Sequence, residues 1–192
     1  MKAINPEKLG LSKEKLMAME SFFKEKYIQN GKLAGIQTLV ARKGKVVHFK
    51  STGLRDVENN KKIEKDTIFR IYSMTKPITS VALMQLFEQG LFQLADPVSK
   101  FLPEFKNPKV FLSGSYPHFM TSPAEREITI RDLLTHTAGL TYGFHYRTNV
   151  DHAYRKVWSG PRGDNTDFSF PPLDLENFSK SIASLPLEFS PG

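Results

Sequence analysis

The 192-residue chain contains no cysteine. Disulfides and thiolate metal sites are therefore excluded, and the composition suits a reducing compartment. It has no apolar run of about 18 residues, the length a membrane-spanning helix needs. Its first residues, "MKAINPEKLGLSKEK", lack the apolar core of a secretory signal. No glycine-rich phosphate loop of Walker or Rossmann spacing occurs. The histidines at 48, 118, 136, 145 and 152 show none of the spacing of a metal-ligating helix. These absences lead us to expect a soluble, cytoplasmic protein with no metal and no cofactor.

Forty per cent of the residues are hydrophobic and 24% are charged, ordinary values for one globular domain with a substantial core. The net charge of +7 is unevenly placed. Residues 1–65 hold 15 Lys/Arg against 7 Asp/Glu, whereas the rest of the chain is close to neutral. Such a segment can attract nucleic acid or anionic lipid. A lysine-rich solvated face explains it as well and is the commoner case, so neither partner is expected.

Hydrophobic spacing gives the coarse organisation. "LSKEKLMAMESFFKEKYIQNGK" (11–32) reads as an amphipathic helix, with Leu16, Met19, Phe23 and Tyr27 on one side and Ser12 as its cap. "GIQTLVARKGKVVHFKSTG" (35–53) reads as a hairpin turning at Gly44. "TIFRIY" (67–72) looks strand-like. Residues 78–87 are apolar on nearly every side, the mark of a buried helix, and Gly90 ends it. "ITIRDLLTHTAGL" (128–140) carries a capping box in Thr129 and Asp132, with Gly139 just past its end. Residues 141–172, rich in aromatics among Gly, Pro, Asn and Asp, read as a long irregular segment forming a lid or pocket wall. "LDLENFSKSIASLPLEF" supplies one more amphipathic helix through Leu175, Phe178 and Ile182.

The chemistry lies in "FRIYSMTKPITSVALMQLFEQG" (69–90). Ser-x-x-Lys occurs three times, at Ser12/Lys15, Ser21/Lys24 and Ser73/Lys76, but only the third opens an apolar helix. Residues three apart share a helix face, so the amine can reach the hydroxyl. A serine hydroxyl is a weak nucleophile until a base takes its proton. An ordinary lysine, with a pKa of about 10.4, is protonated at neutrality. Burial and a helix N-terminus both disfavour the ammonium form, and the same helix end offers N–H groups to an oxyanion. Ser73 and Lys76 are accordingly the candidate catalytic residues. Pro77 restrains Lys76 from helical geometry, which places the expected helix start at Pro77.

The run "FRIYSMTKPITSVALMQLFEQGLFQLADPVSKFLPEF", with "ITIRDLLTHTAGLTYGF" and "LPLEFSPG", strongly resembles the serine β-lactamase-related family of class C β-lactamases, penicillin-binding proteins and family VIII carboxylesterases. "LLTHTAGLTYGF" is most similar to the esterase branch. The resemblance implies an α+β fold of the β-lactamase/transpeptidase type, an antiparallel sheet flanked by helices plus a helical subdomain. It implies Ser73 as the acylated nucleophile, Lys76 as its proton partner and the Ser73 N–H as half of an oxyanion hole. His136 and Gly139 would shape the wall near the site. The family's general-base tyrosine is expected a few residues after "LPLEFSPG", beyond Gly192, as are the later strands of the sheet. Tyr142 reads as part of the wall and not as a substitute.

The expectation is thus the N-terminal part of one serine hydrolase domain. Residues 1–66 would supply a helix and hairpin, and residues 67–192 the nucleophile helix, a helical region and the pocket wall. The substrate would be a small ester or amide, and the 192 residues alone would be poorly folded and nearly inactive. The competing reading is a catalytically inactive scaffold that keeps the fold. Oligomeric state is not legible.

Overall fold

The computed structural model describes residues 3–159 and 174–192. The chain divides into two compact units, Met1–Tyr72 and Ser73–Gly192.

In the first unit, α1 (Lys13–Phe23) begins where the Ser12 hydroxyl accepts the Lys15 N–H at 3.2 Å, and it widens into a looser helical turn at Lys24–Ile28. Strands β1 (Gly35–Arg42) and β2 (Lys45–Asp56) form the expected antiparallel hairpin. Its turn residues Lys43 and Gly44 have φ of 50° and 69°. This left-handed pair matches the twist of the strands it joins. A two-residue strand β3 (Lys61–Lys62) adds to β2, in the order β1-β2-β3.

His48, only 6% exposed, ties α1 to this sheet. Its Nε2 lies 2.7 Å from the Thr38 hydroxyl, and its Nδ1 lies 3.4 Å from a Glu20 carboxylate oxygen. The strand-like reading of 67–72 is not met. The Thr67 hydroxyl accepts the Glu64 N–H and the Thr67 N–H returns to the Glu64 carbonyl, closing a turn, and Ile68 is fully solvated. β-branched composition alone does not make a strand when local side chains close a turn.

In the second unit, α2 runs Thr75–Glu88, two residues earlier than Pro77 suggested. The proline occupies the third helical position, where an N–H would have no intrahelical partner to lose. Gly90, at φ 72°, closes the other end by donating to the Phe87 carbonyl. Within this chain none of the α2 residues is buried, and Ile78 and Val81 are each 62% exposed. Only one side, with Leu83 and Phe87, packs on the core of Phe92, Val98, Ile128, Ile130, Ala138 and Leu187. Apolar composition states a helix's demand for cover, not where the cover comes from.

Helix α3 (Ile130–Thr135) has the expected capping box. The Thr129 N–H and hydroxyl donate to Asp132 Oδ2 at 2.8 and 2.7 Å, and the Asp132 N–H returns to the Thr129 hydroxyl. Arg126 then clamps both Asp132 oxygens at 2.6 and 2.9 Å. The helix stops one turn earlier than expected, with His136 and not Gly139 in the left-handed capping position. A second hairpin, β4 (Lys109–Ser115) with β5 (His118–Pro123), was not foreseen. Residues 185–192 strap it to the turn after α3. The Leu187 N–H donates to Lys109, Glu188 to Gly139 and Gly192 to Thr137.

The segment expected to be irregular from 141 to 172 contains a helix, α4 (Asn149–Ser159). Val150, Ala153 and Tyr154 recur at helical spacing and are buried, which outweighs the turn-forming residues around them. Its remainder from 160 to 172 lies outside the described residues. Helix α5 (Leu175–Ala183) starts at Asp174, whose carboxylate accepts the Asn177 N–H. Phe178 and Ile182 are half-buried as expected, whereas Leu175 is solvent-exposed.

Candidate active site

Ser73 sits in a tight helical turn, Tyr72–Met74, that runs straight into α2. The residue before it, Tyr72, has a φ of 45°. Non-glycine residues rarely adopt that region, and such strain gathers at functional positions. Lys76 lies in the first turn of α2, three residues on, so both side chains share one face. Lys76 Nζ donates to the Ser73 hydroxyl at 3.0 Å. Of the three Ser-x-x-Lys pairs, Ser12 is occupied as a helix cap. The pair is less enclosed than the apolar sequence around it suggested, because Ser73 is exposed and Lys76 is half-buried.

A wall of aromatic rings stands beside Lys76. The Tyr142 ring centre lies 5.4 Å from Lys76 Nζ, within cation–π range. Tyr142 is tilted against Phe144 at 5.0 Å and edge-on to His145 at 5.7 Å. Sequence reading assigned Tyr142 to a wall but missed its approach to Lys76, which depends on the tertiary path of residues 136–148. His136 is exposed at its capping position. Gly139, with φ 80°, is buried where a Cβ would fall 2.3 Å from the Phe189 carbonyl oxygen.

The wall is held by α4. Asp151, 1% exposed, accepts hydrogen bonds from the Thr141 hydroxyl and from the Arg147 N–H. Burial pushes its carboxyl up, but the Thr141 hydroxyl and the Arg147 and Thr148 N–H groups outweigh this and hold it below the usual carboxylate range. Tyr154, buried beside it, is pushed above the ordinary tyrosine value by burial. Asp151 was missed from sequence although a signal existed. Thr148 and Asp151 have capping-box spacing, and the Asp151 N–H does donate to the Thr148 hydroxyl at 3.0 Å.

A cavity of about 380 Å³ lies between the β4–β5 hairpin and the end of α5, lined by Phe105, Phe119, Leu140 and Ile182, and it does not include Ser73 or Lys76. Among the described residues, no three His, Asp or Glu side chains cluster as a metal site, and no helix is long and apolar enough to cross a membrane.

Comparison with known proteins bears on the family and the fold. Esterase EstB of Burkholderia gladioli is 32% identical over 190 residues, which is 99% of this chain and 44% of EstB. The structure of EstCE1, a hydrolase with promiscuous acyltransferase activity, superimposes with a TM-score of 0.70 at 29% identity, covering 93% of this chain and 42% of EstCE1. Simvastatin synthase (LovD) from Aspergillus terreus gives 0.67 at 27% identity, covering 92% of this chain and 42% of LovD. The chain thus spans less than half the length of each of these relatives. Their fold is the β-lactamase/transpeptidase type, and the helices and antiparallel hairpins here agree with its α+β class. The beta-lactamase family model matches residues 19–192, and this chain belongs to the β-lactamase family.

Proposed function

We propose that this chain carries the acylation centre of a serine hydrolase acting on small esters or β-lactam-like amides, with a carboxylesterase as the favoured member of that class. The observation that carries the reading is the 3.0 Å contact between Lys76 Nζ and Ser73 Oγ at the head of α2. With Lys76 as the free amine, the hydroxyl proton passes to Nζ as Oγ bonds to the substrate carbonyl carbon. The tetrahedral oxyanion is met by N–H groups at the start of α2, which have no intrahelical acceptors. Collapse breaks the bond to the leaving group, which takes the proton from Lys76 and departs as alcohol or amine. Water then hydrolyses the acyl-enzyme, releasing acid and restoring the hydroxyl. A tyrosine following the Leu185–Gly192 segment is the proposed third member, on the family resemblance. Esterase and acyltransferase relatives favour ester substrates.

The test is turnover of p-nitrophenyl acetate by the protein as its gene encodes it. Ser73→Ala should reduce the rate by at least about 10³-fold. Retention of turnover in that variant rejects Ser73. A protein that folds but neither turns over esters nor forms a Ser73 adduct supports the scaffold reading.

A further inference from the structure

The carboxylate of Asp151 lies deeper than needed to start a helix. Its two oxygens serve different donors, one the Thr141 hydroxyl and the other the Arg147 N–H at 2.9 Å. One turn further along α4, Arg155 donates to the Gly143 carbonyl, and its guanidinium stacks 4.0 Å from the Tyr146 ring. Gly143, with φ 67°, fits against Tyr154 so closely that a Cβ would lie 3.0 Å from the Tyr154 Cβ. Helix α4 therefore pins the 141–147 loop at Thr141, Gly143, Tyr146 and Arg147. Tyr142 stands between two of those pins, with its ring 5.4 Å from Lys76 Nζ, and Lys76 is 3.0 Å from Ser73 Oγ. The Tyr142 ring is thus linked to Ser73 Oγ through the single amine of Lys76.

We propose that Asp151 is a positioning residue for acyl transfer, its carboxylate fixing the Tyr142 ring beside Lys76 and so limiting the size of the acyl group that Ser73 accepts. This rests on the acyl-transfer reading of Ser73. A carboxylate is required because both of its oxygens accept. An asparagine of the same shape has one acceptor oxygen, so either the Arg147 N–H loses its acceptor or the Thr141 hydroxyl must turn round to accept from the amide, and in both cases the charge-assisted bonds are weakened.

The experiment measures labelling rates at Ser73 by two alkyl fluorophosphonates, one short-chain and one long-chain, in the natural protein. In each reaction the Oγ–P bond forms, the P–F bond breaks, and the hydroxyl proton passes to Lys76 as fluoride leaves. Asp151→Asn should raise the long-to-short rate ratio by about fivefold or more, because a loosened ring opens the wall. Thr141→Val, which removes one donor and leaves the carboxylate, should move the ratio the same way and carries the test if Asp151→Asn does not fold. In a Tyr142→Ala background, which shifts the ratio itself, Asp151→Asn should add less than about 1.5-fold. A purely structural Asp151 would lower both rates equally. An unchanged ratio in a folded Asp151→Asn or Thr141→Val protein overturns the proposal, as does a full extra shift in the Tyr142→Ala background. Absence of any Ser73 adduct with either probe removes the acyl-transfer reading and this proposal together, whereas an unchanged ratio with Ser73 still labelled removes only the role of Asp151.

Discussion

Replacing Asp132 with asparagine tests whether the turn that leads into α3 is fixed by charge or merely by shape. Asp132 is 4% exposed and accepts from Arg126 twice, from the Thr129 N–H and from the Thr129 hydroxyl. The Arg126 guanidinium, then the Thr129 groups, hold its carboxyl well below the ordinary value despite burial. Hydrogen bonds to a charged group contribute about 1.5–3 kcal/mol each, and breaking a fully buried pair costs about 3–5 kcal/mol. The Arg126 side chain is 43% exposed and recovers solvent, which discounts the loss. The net cost of Asp132→Asn is then about 2–4 kcal/mol, or roughly 5–15 °C in melting temperature for a chain of this size. The sign of the pH effect follows from the lowered value. The stabilisation is present above the unfolded pKa of about 3.9 and is lost as pH falls through the folded value. Thermal melts from pH 7 down to 3 should therefore show a gap between the two proteins that is constant down to about pH 4 and begins to narrow below it. A shift below about 2 °C at pH 7, or a constant gap across the pH range, would refute the reasoning.

Other expectations follow from single contacts. Gly139→Ala should cost clearly more than Gly44→Ala in denaturant melts. Both glycines have positive φ, but only Gly139 has a carbonyl in the path of a Cβ, whereas Gly44 has nothing within 4 Å. The Gly44 change should stay near the ~1–2 kcal/mol left-handed penalty. Thr38→Val leaves one nitrogen of the buried His48 without its 2.7 Å partner and should lower stability by about 1–3 kcal/mol, read by the same melts. Lys76→Met keeps a stem of similar length but removes the amine that faces Tyr142, and it should slow ester turnover by about 10²-fold or more without lowering the melting temperature.

Elements set by local rules were legible in the sequence. Ser12 caps α1, the Lys43–Gly44 turn joins β1 and β2, and Thr129 with Asp132 opens α3, because each depends on residues within a few positions of one another. The Ser73–Lys76 contact was readable for the same reason. What was not readable depends on partners distant in sequence. The β4–β5 hairpin is braced by Leu187, more than sixty residues on from β5. The approach of Tyr142 to Lys76 joins two segments far apart in sequence. Helix α4 was hidden by its flanks, although Val150, Ala153 and Tyr154 had the spacing. What covers the exposed side of α2 was not readable, because hydrophobicity does not name its partner.

The most direct test of the account is peptide mapping by mass spectrometry after the natural protein reacts with a fluorophosphonate. The account predicts a single adduct on the peptide bearing Ser73, slowed strongly by Lys76→Met and absent in Ser73→Ala. An adduct confined to another residue, or labelling of Ser73 at an unchanged rate without the Lys76 amine, would contradict it.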